Sequence, residues 1–338
     1  MNPRGIVSAW NTFWFDPVST STLAVFRIAF GLVMCAWSIS LAVDASSFFT
    51  NKGILPDQPH FTGLLGGAWG LLGIFPSKGA MIVLLVLLIV ASFCLMLGHN
   101  SQVAAAIVFL AVMSFERRNP FVFNSGDVLL RLLAFYLIFA PASASLSLER
   151  WLRNRRDFWS FPARAPWGMR LIQIQFSIVY LIAVWTKVRG TTWNDGTAVS
   201  YALRITDLSR FPLPTFVSHS ALISNVFSYG TLVLELSLAI LVWNRKLRPW
   251  VLLAGLSLHL GIEYSIRVGF YGFAITSMYL IWVPPERMDA ILLAVRHLRS
   301  YQMLEAAEAA QARAEERERG ARALQAQSLR FDSALSNM

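Results

Sequence analysis

Seven ionisable side chains stand inside apolar stretches of the sequence: Arg27, Asp127, Arg131, Lys187, Glu235, His259 and Glu263. Such groups are costly away from water, so each is a candidate for chemistry. Lys187 is the sharpest of them. It follows the run Ile178-Val179-Tyr180-Leu181-Ile182-Ala183-Val184-Trp185-Thr186 and precedes Val188-Arg189-Gly190. Desolvation at the end of an apolar helix, with the Arg189 cation nearby, favours a neutral amine that can act as base or nucleophile. The bland alternative is an interfacial lysine that reaches water. Two pairs have i,i+4 spacing, Asp127 with Arg131 and His259 with Glu263, which puts both members of a pair on one helix face. The functional reading is a polar cavity lined by a base, an acid and a cation. The structural reading is neutralisation within each pair, with the pairs holding helices together. A lone histidine such as His259 is more often a hydrogen-bonded packing residue, and Arg27 can simply snorkel.

The elements that position these groups must be membrane helices. Of 338 residues, 56% are hydrophobic and 14% are charged, against roughly a quarter charged in a soluble domain. The mean hydropathy is +0.53. That deficit of charge makes lipid the solvent for much of the chain. The net charge of +10 falls mostly in loops and the C-terminal stretch, so membrane orientation explains it better than nucleic acid does. Cys35 and Cys94 lie in apolar runs without a C-x-x-C motif, which excludes a disulfide scaffold or zinc site. The first apolar run lacks a small-residue cleavage site after it and reads as a retained span.

A span needs about 20 apolar residues. Eight segments qualify or approach this: Leu23–Val43, Gly79–Leu97, Gln102–Phe115, Asp127–Pro141, Gly168–Lys187, Leu222–Trp243, Pro249–Glu263 and Val268–Val283, the last stopped by Pro284-Pro285. The expected fold is an all-α integral membrane protein, a polytopic bundle of about eight transmembrane helices. With eight crossings both termini share one side with the connections 98–101, 142–167 and 244–248. Those connections carry Arg150, Arg153, Arg155, Arg156, Arg164, Arg245, Lys246 and Arg248. The positive-inside bias makes that side cytoplasmic, although Arg117-Arg118 falls opposite. Asp127, Arg131, Lys187, His259 and Glu263 are then expected at one external depth, with Glu235 near mid-membrane. Thr197–Leu208 has the spacing of an amphipathic helix at the outer surface. Residues 286–338 change character to Ala, Glu, Arg and Gln, which predicts a charged cytoplasmic helix or tail after a membrane domain of residues 1–285.

The run Tyr180-Leu181-Ile182-Ala183…Lys187…Trp193-Asn194-Asp195-Gly196-Thr197-Ala198 resembles the hallmark of the HTTM (horizontally transferred transmembrane) family. These are bacterial relatives of the membrane portion of vitamin K-dependent γ-carboxylase. Phe26-Arg27-Ile28…Gly31 resembles the family's first helix. Asn124-Ser125-Gly126-Asp127…Leu130-Arg131-Leu132-Leu133-Ala134-Phe135 resembles its fourth, and His259…Phe270 its histidine region. The resemblance covers about residues 10–285. It implies a bacterial inner-membrane protein with an outward-facing polar cavity. There Lys187 stands where the carboxylase has its proposed base, which deprotonates reduced vitamin K. His259 would relay or accept a proton, Asp127 orient the site, Arg131 hold an anionic group and Trp193 pack over the substrate. Glu235 and Glu263 complete the expected substrate-binding set. The cofactor stays unknown, a reduced quinone being the candidate the resemblance offers, and the implied partners are membrane lipid and a secreted peptide or quinone, with no nucleic acid. The resemblance departs at Gly126, where the carboxylase has a functional histidine, and after residue 285, where its large lumenal domain has no counterpart. The non-enzymatic alternative is an accessory membrane protein for maturation or export of a secreted peptide.

Overall fold

A computed structural model describes residues 3–56, 69–211, 213–298 and 302. It divides into two compact units, Met1–Glu286 and Arg287–Met338. The first is helical almost throughout. It opens with α1 (Pro3–Phe15), α2 (Ser21–Val43) and the short α3 (Ala45–Phe49). Next come α4 (Leu71–Ile74), α5 (Lys78–Leu97), α6 (Ser101–Arg118), α7 (Ser125–Phe139) and α8 (Leu148–Arg153). The second half holds α9 (Trp167–Lys187), α10 (Thr191–Asn194), α11 (Ala198–Leu203), α12 (Thr215–His219), α13 (Ala221–Ile240), α14 (Arg248–Ser265) and α15 (Tyr271–Ser277). A 3-10 turn, Met278–Trp282, continues α15. The sheet among the described residues is a two-residue antiparallel pairing, Val18–Ser19 with Ala163–Arg164. In the second unit residues 287–298 are helical.

Among the described residues, four stretches are long and apolar enough to cross a membrane: Ser21–Val43, Lys78–Leu97, Trp167–Lys187 and Ala221–Trp243. Their ends are set by local chemistry. Ser77 Oγ accepts from Ala80 N at the start of α5, and Gly98 ends it with φ +74°, a left-handed conformation that glycine adopts without strain. Asn124 and Asp127 form a reciprocal capping box at the start of α7. The expected eighth span, Val268–Val283, is not one continuous helix. Gly269 (φ +66°) precedes it, and seven α-helical residues followed by a 3-10 turn cover only about 20 Å. The helix α1 was not foreseen, since thirteen residues are too few to read as a span.

Helix α2 packs on α5, α5 on α6, α6 on α7, and α9 on α13. Small residues let the backbones close in. A Cβ on Gly31 of α2 would meet Met96 Cα of α5 at 2.5 Å. Inside lie Phe26, Phe30, Leu88, Val108, Leu130, Phe176 and Trp282. Outside, Val83, Val86 and Val90 on α5 and Leu222, Val226, Val233 and Ile240 on α13 are exposed. Apolar stripes of that length belong against lipid rather than water. Arg27 does not snorkel. It is fully buried and donates to Ala142 O (3.0 Å) and Leu146 O (2.7 Å), tying α2 to the loop before α8.

Candidate functional site

Lys187 is the last residue of α9, and its ammonium does not stand alone. Its Nζ lies 2.6 Å from Glu235 Oε1 and 2.7 Å from Oε2 on α13. The side chains are 22% and 8% exposed. Glu235 is about 21 Å along α13 from Ala221. The lysine therefore meets α13 well down its length. The Arg189 guanidinium stacks on Trp185, 4.0 Å from the ring centroid. The close charge at Lys187 is thus a carboxylate.

The segment after Lys187 folds back along the first turns of α13. Gly196 takes φ +73°, and a side chain there would run into Asn225. Its carbonyl accepts from Ser224 Oγ (2.9 Å) and Ser228 Oγ (3.0 Å), and Tyr229 OH donates to Asn194 O (2.8 Å). Asp195 Oδ1 accepts from Thr197 N and Oγ1. The turn Asn194–Thr197 is thereby pinned, and it places the Trp193 ring 5.2 Å from Lys187 Nζ, within cation–π range. Thr197–Leu208 is not one amphipathic helix. It is α11 and a 3-10 turn, Thr206–Leu208, docked on α13 with Tyr201, Ile205 and Leu208 facing outward. The first-turn amides of α11 lack intrahelical acceptors, and Ser228 and Ser224 accept from Val199 N and Ser200 N.

Two helical turns before Lys187, on the same face of α9, lies Tyr180. Its hydroxyl is 2.7 Å from His259 Nε2 on α14 and 2.9 Å from the Tyr279 hydroxyl. All three side chains are buried, and His259 Nδ1 is buried with no partner among the described residues. The rings of Tyr271 and Tyr279 lie against His259 at 6.0 and 6.1 Å. One face of α9 thus carries two groups two turns apart, Lys187 with Glu235 and Trp193, and Tyr180 with His259 and Tyr279. Tyr180 was readable beforehand from its i,i+7 spacing to Lys187. Tyr279 gave no signal, being one aromatic residue within an apolar segment.

Neither i,i+4 pair forms. Arg131 pairs with Glu116 on α6. Asp127 accepts from Trp37 Nε1 (2.7 Å) and from Asn124 N (2.7 Å). Glu263 pairs with Arg210 at 2.9 Å. The reason is general: spacing puts two residues on one face, but a helix packed against others hands each charge to the nearest neighbour across the interface. Glu116 lies one residue past the apolar run 102–115 and so escaped notice. Asp127 and Arg131 form a separate cluster, which touches the first through α15. Tyr271 packs against His259 on one side and Gly126 on the other. A Cβ at Gly126 would meet Tyr271 Cα and Cβ at 2.8 Å, so this position is closed to a histidine.

The sequence model of the HTTM domain family matches residues 15–286 of the chain. No solved structure matches it.

Proposed function

Because the chain belongs to the HTTM family and is a membrane protein of this carboxylase-related group, we propose that it is a membrane enzyme in which Lys187 acts as a base on a lipophilic or peptide substrate. The observation that carries the reading is the Lys187–Glu235 pair beside a Tyr180–His259–Tyr279 chain whose His259 Nδ1 lacks a partner among the described residues. An ammonium is not a base, so its proton must first leave. Glu235, with both oxygens at hydrogen-bond distance, is placed to receive it. In a poorly solvated interior a charged pair loses much of its advantage over a neutral amine with a carboxylic acid. The amine so released takes a proton from substrate. Two turns away on α9, the Tyr180 OH bonded to both His259 Nε2 and Tyr279 OH is a second hydrogen-bonded group able to exchange a proton with a bound substrate. A buried ring nitrogen without a partner is rare and leaves His259 Nδ1 free to accept or donate a proton.

A reduced quinone suits this donor set, and when bound it would supply a hydroxyl for deprotonation. His259 Nδ1 and the Trp193 ring would hold it. The closed position at Gly126 argues against γ-carboxylation itself. The arginine bias supports both termini on the cytoplasmic side of a bacterial inner membrane, eight crossings, and a cytoplasmic stretch after residue 285. A second reading, a non-enzymatic accessory protein for a secreted peptide, is favoured by the completeness of the Lys187–Glu235 pair, which holds the lysine without help from a ligand.

The test uses the full chain in nanodiscs with a reduced naphthoquinone and dioxygen as its oxidant. Wild type is expected to consume it, and Lys187→Arg, which keeps the charge but does not give up its proton, is expected to fold and not turn over. Equal turnover by Lys187→Arg removes the base. Absence of turnover in both favours the accessory reading.

A further inference from the structure

Away from Lys187, a cavity of about 380 Å³ opens between the end of α2, α3 and the start of α7. Its walls carry rings from Trp37, Phe48, Phe123 and Phe270 and carboxylates from Asp44 and Asp127. Trp37 and Phe123 have centroids 6.2 Å apart. In a chain of net charge +10, no lysine or arginine among the described residues lines this cavity.

The two carboxylates define what is missing. Asp127 is 6% exposed and uses its two hydrogen bonds to Trp37 and Asn124, which leaves acceptor sites on both oxygens. No cation pairs with it among the described residues, since Arg131 is taken by Glu116. A buried carboxylate without a counter-charge is costly. Asp44 stands at the rim with its side chain making no helix-cap bond. An anion is excluded by charge. A hard metal ion would want six or more oxygen ligands, and the rings of Trp37, Phe48, Phe123 and Phe270 occupy much of this wall. An organic cation meets both features, because aromatic surface attracts a weakly hydrated ammonium and the carboxylates neutralise it.

We propose that this cavity binds an alkylammonium group of choline-like size. The site does not depend on Lys187 being a base. Two sources offer this chemistry, a free quaternary amine and a phospholipid headgroup. The experiment therefore places the full chain in phosphatidylglycerol nanodiscs and titrates it with tetramethylammonium chloride by calorimetry, with sodium chloride as the control. Saturable binding is expected, weakened roughly tenfold, the scale of one lost charge or ring contact of about 1.4 kcal/mol, in Asp44→Asn and in Phe48→Ala. Circular dichroism checks that both variants keep their helices. Asp44→Asn is isosteric at an exposed position, so it reads the site even where Phe48→Ala unfolds. A repeat in phosphatidylcholine nanodiscs separates the sources: competition by the lipid assigns the headgroup, and unchanged binding assigns a free amine. Absence of saturable binding in phosphatidylglycerol overturns the proposal, as does unchanged affinity in Asp44→Asn.

Discussion

Replacing Glu235 by Gln tests the pairing of α9 with α13 by leaving the Lys187 ammonium with a neutral partner. Breaking a fully buried pair costs about 3–5 kcal/mol, whereas an exposed pair is worth about 0–1 kcal/mol. Here the carboxylate is 8% exposed and the lysine 22%, so the cost falls between, and glutamine retains one acceptor. We expect a loss of about 2–3 kcal/mol, which multiplies the unfolded fraction roughly 30- to 150-fold. The double variant Lys187→Met/Glu235→Leu removes both charges and fills the space with apolar groups, so it is expected to recover most of that loss. The assay is reversible unfolding in detergent micelles, followed by circular dichroism for wild type, Glu235→Gln, Lys187→Met, Glu235→Leu and the double variant. A coupling above about 1 kcal/mol is the signature of direct contact. Single effects below about 0.5 kcal/mol, or strictly additive ones, refute the pairing.

The same geometry sets three further outcomes. Tyr180→Phe removes the hydroxyl that joins His259 Nε2 to Tyr279 OH; it should cost about 1–3 kcal/mol, and an unfolding midpoint equal to wild type would show that the chain of bonds is not made. Gly126→Ala forces a methyl against Tyr271 and should destabilise by about 1–3 kcal/mol, while a neutral or stabilising result would mean that α7 and α15 are not packed this closely. Arg131→Met strands Glu116, which is nearly buried, so Glu116→Gln in the same chain should restore stability lost in Arg131→Met alone; failure of that rescue would leave Arg131 with some other partner.

The long apolar helices were legible because lipid demands an unbroken run of about 20 apolar residues, and Ser21–Val43, Lys78–Leu97, Trp167–Lys187 and Ala221–Trp243 each provide one. The segment after Gly269 is apolar throughout, but its α-helix covers only Tyr271–Ser277 before the 3-10 turn, a break that composition does not report. The individual charged residues were also legible, because each interrupts an apolar run. Their partners were not. Spacing along one helix reports a shared face, and it is silent on which neighbouring helix that face meets. So Asp127 went to Trp37, Arg131 to Glu116, His259 to Tyr180 and Glu263 to Arg210. The hallmark Trp193–Thr197 announced itself by residue type, yet its work is visible only in three dimensions, where Gly196 turns the chain back onto the serines of α13.

The chain contains four lysines, and Lys52, Lys78 and Lys246 are exposed. That makes carbon-13 NMR of lysine labelled at Cε feasible in nanodiscs, with the Lys187 signal identified by its loss in Lys187→Arg. If Lys187 is a base tied to Glu235, its signal stands apart from the other three, shifts in Glu235→Gln, and changes alone toward the neutral amine form when a reduced naphthoquinone is added. A Lys187 signal that coincides with the three exposed lysines and ignores both the Glu235 substitution and the ligand would contradict that chemistry.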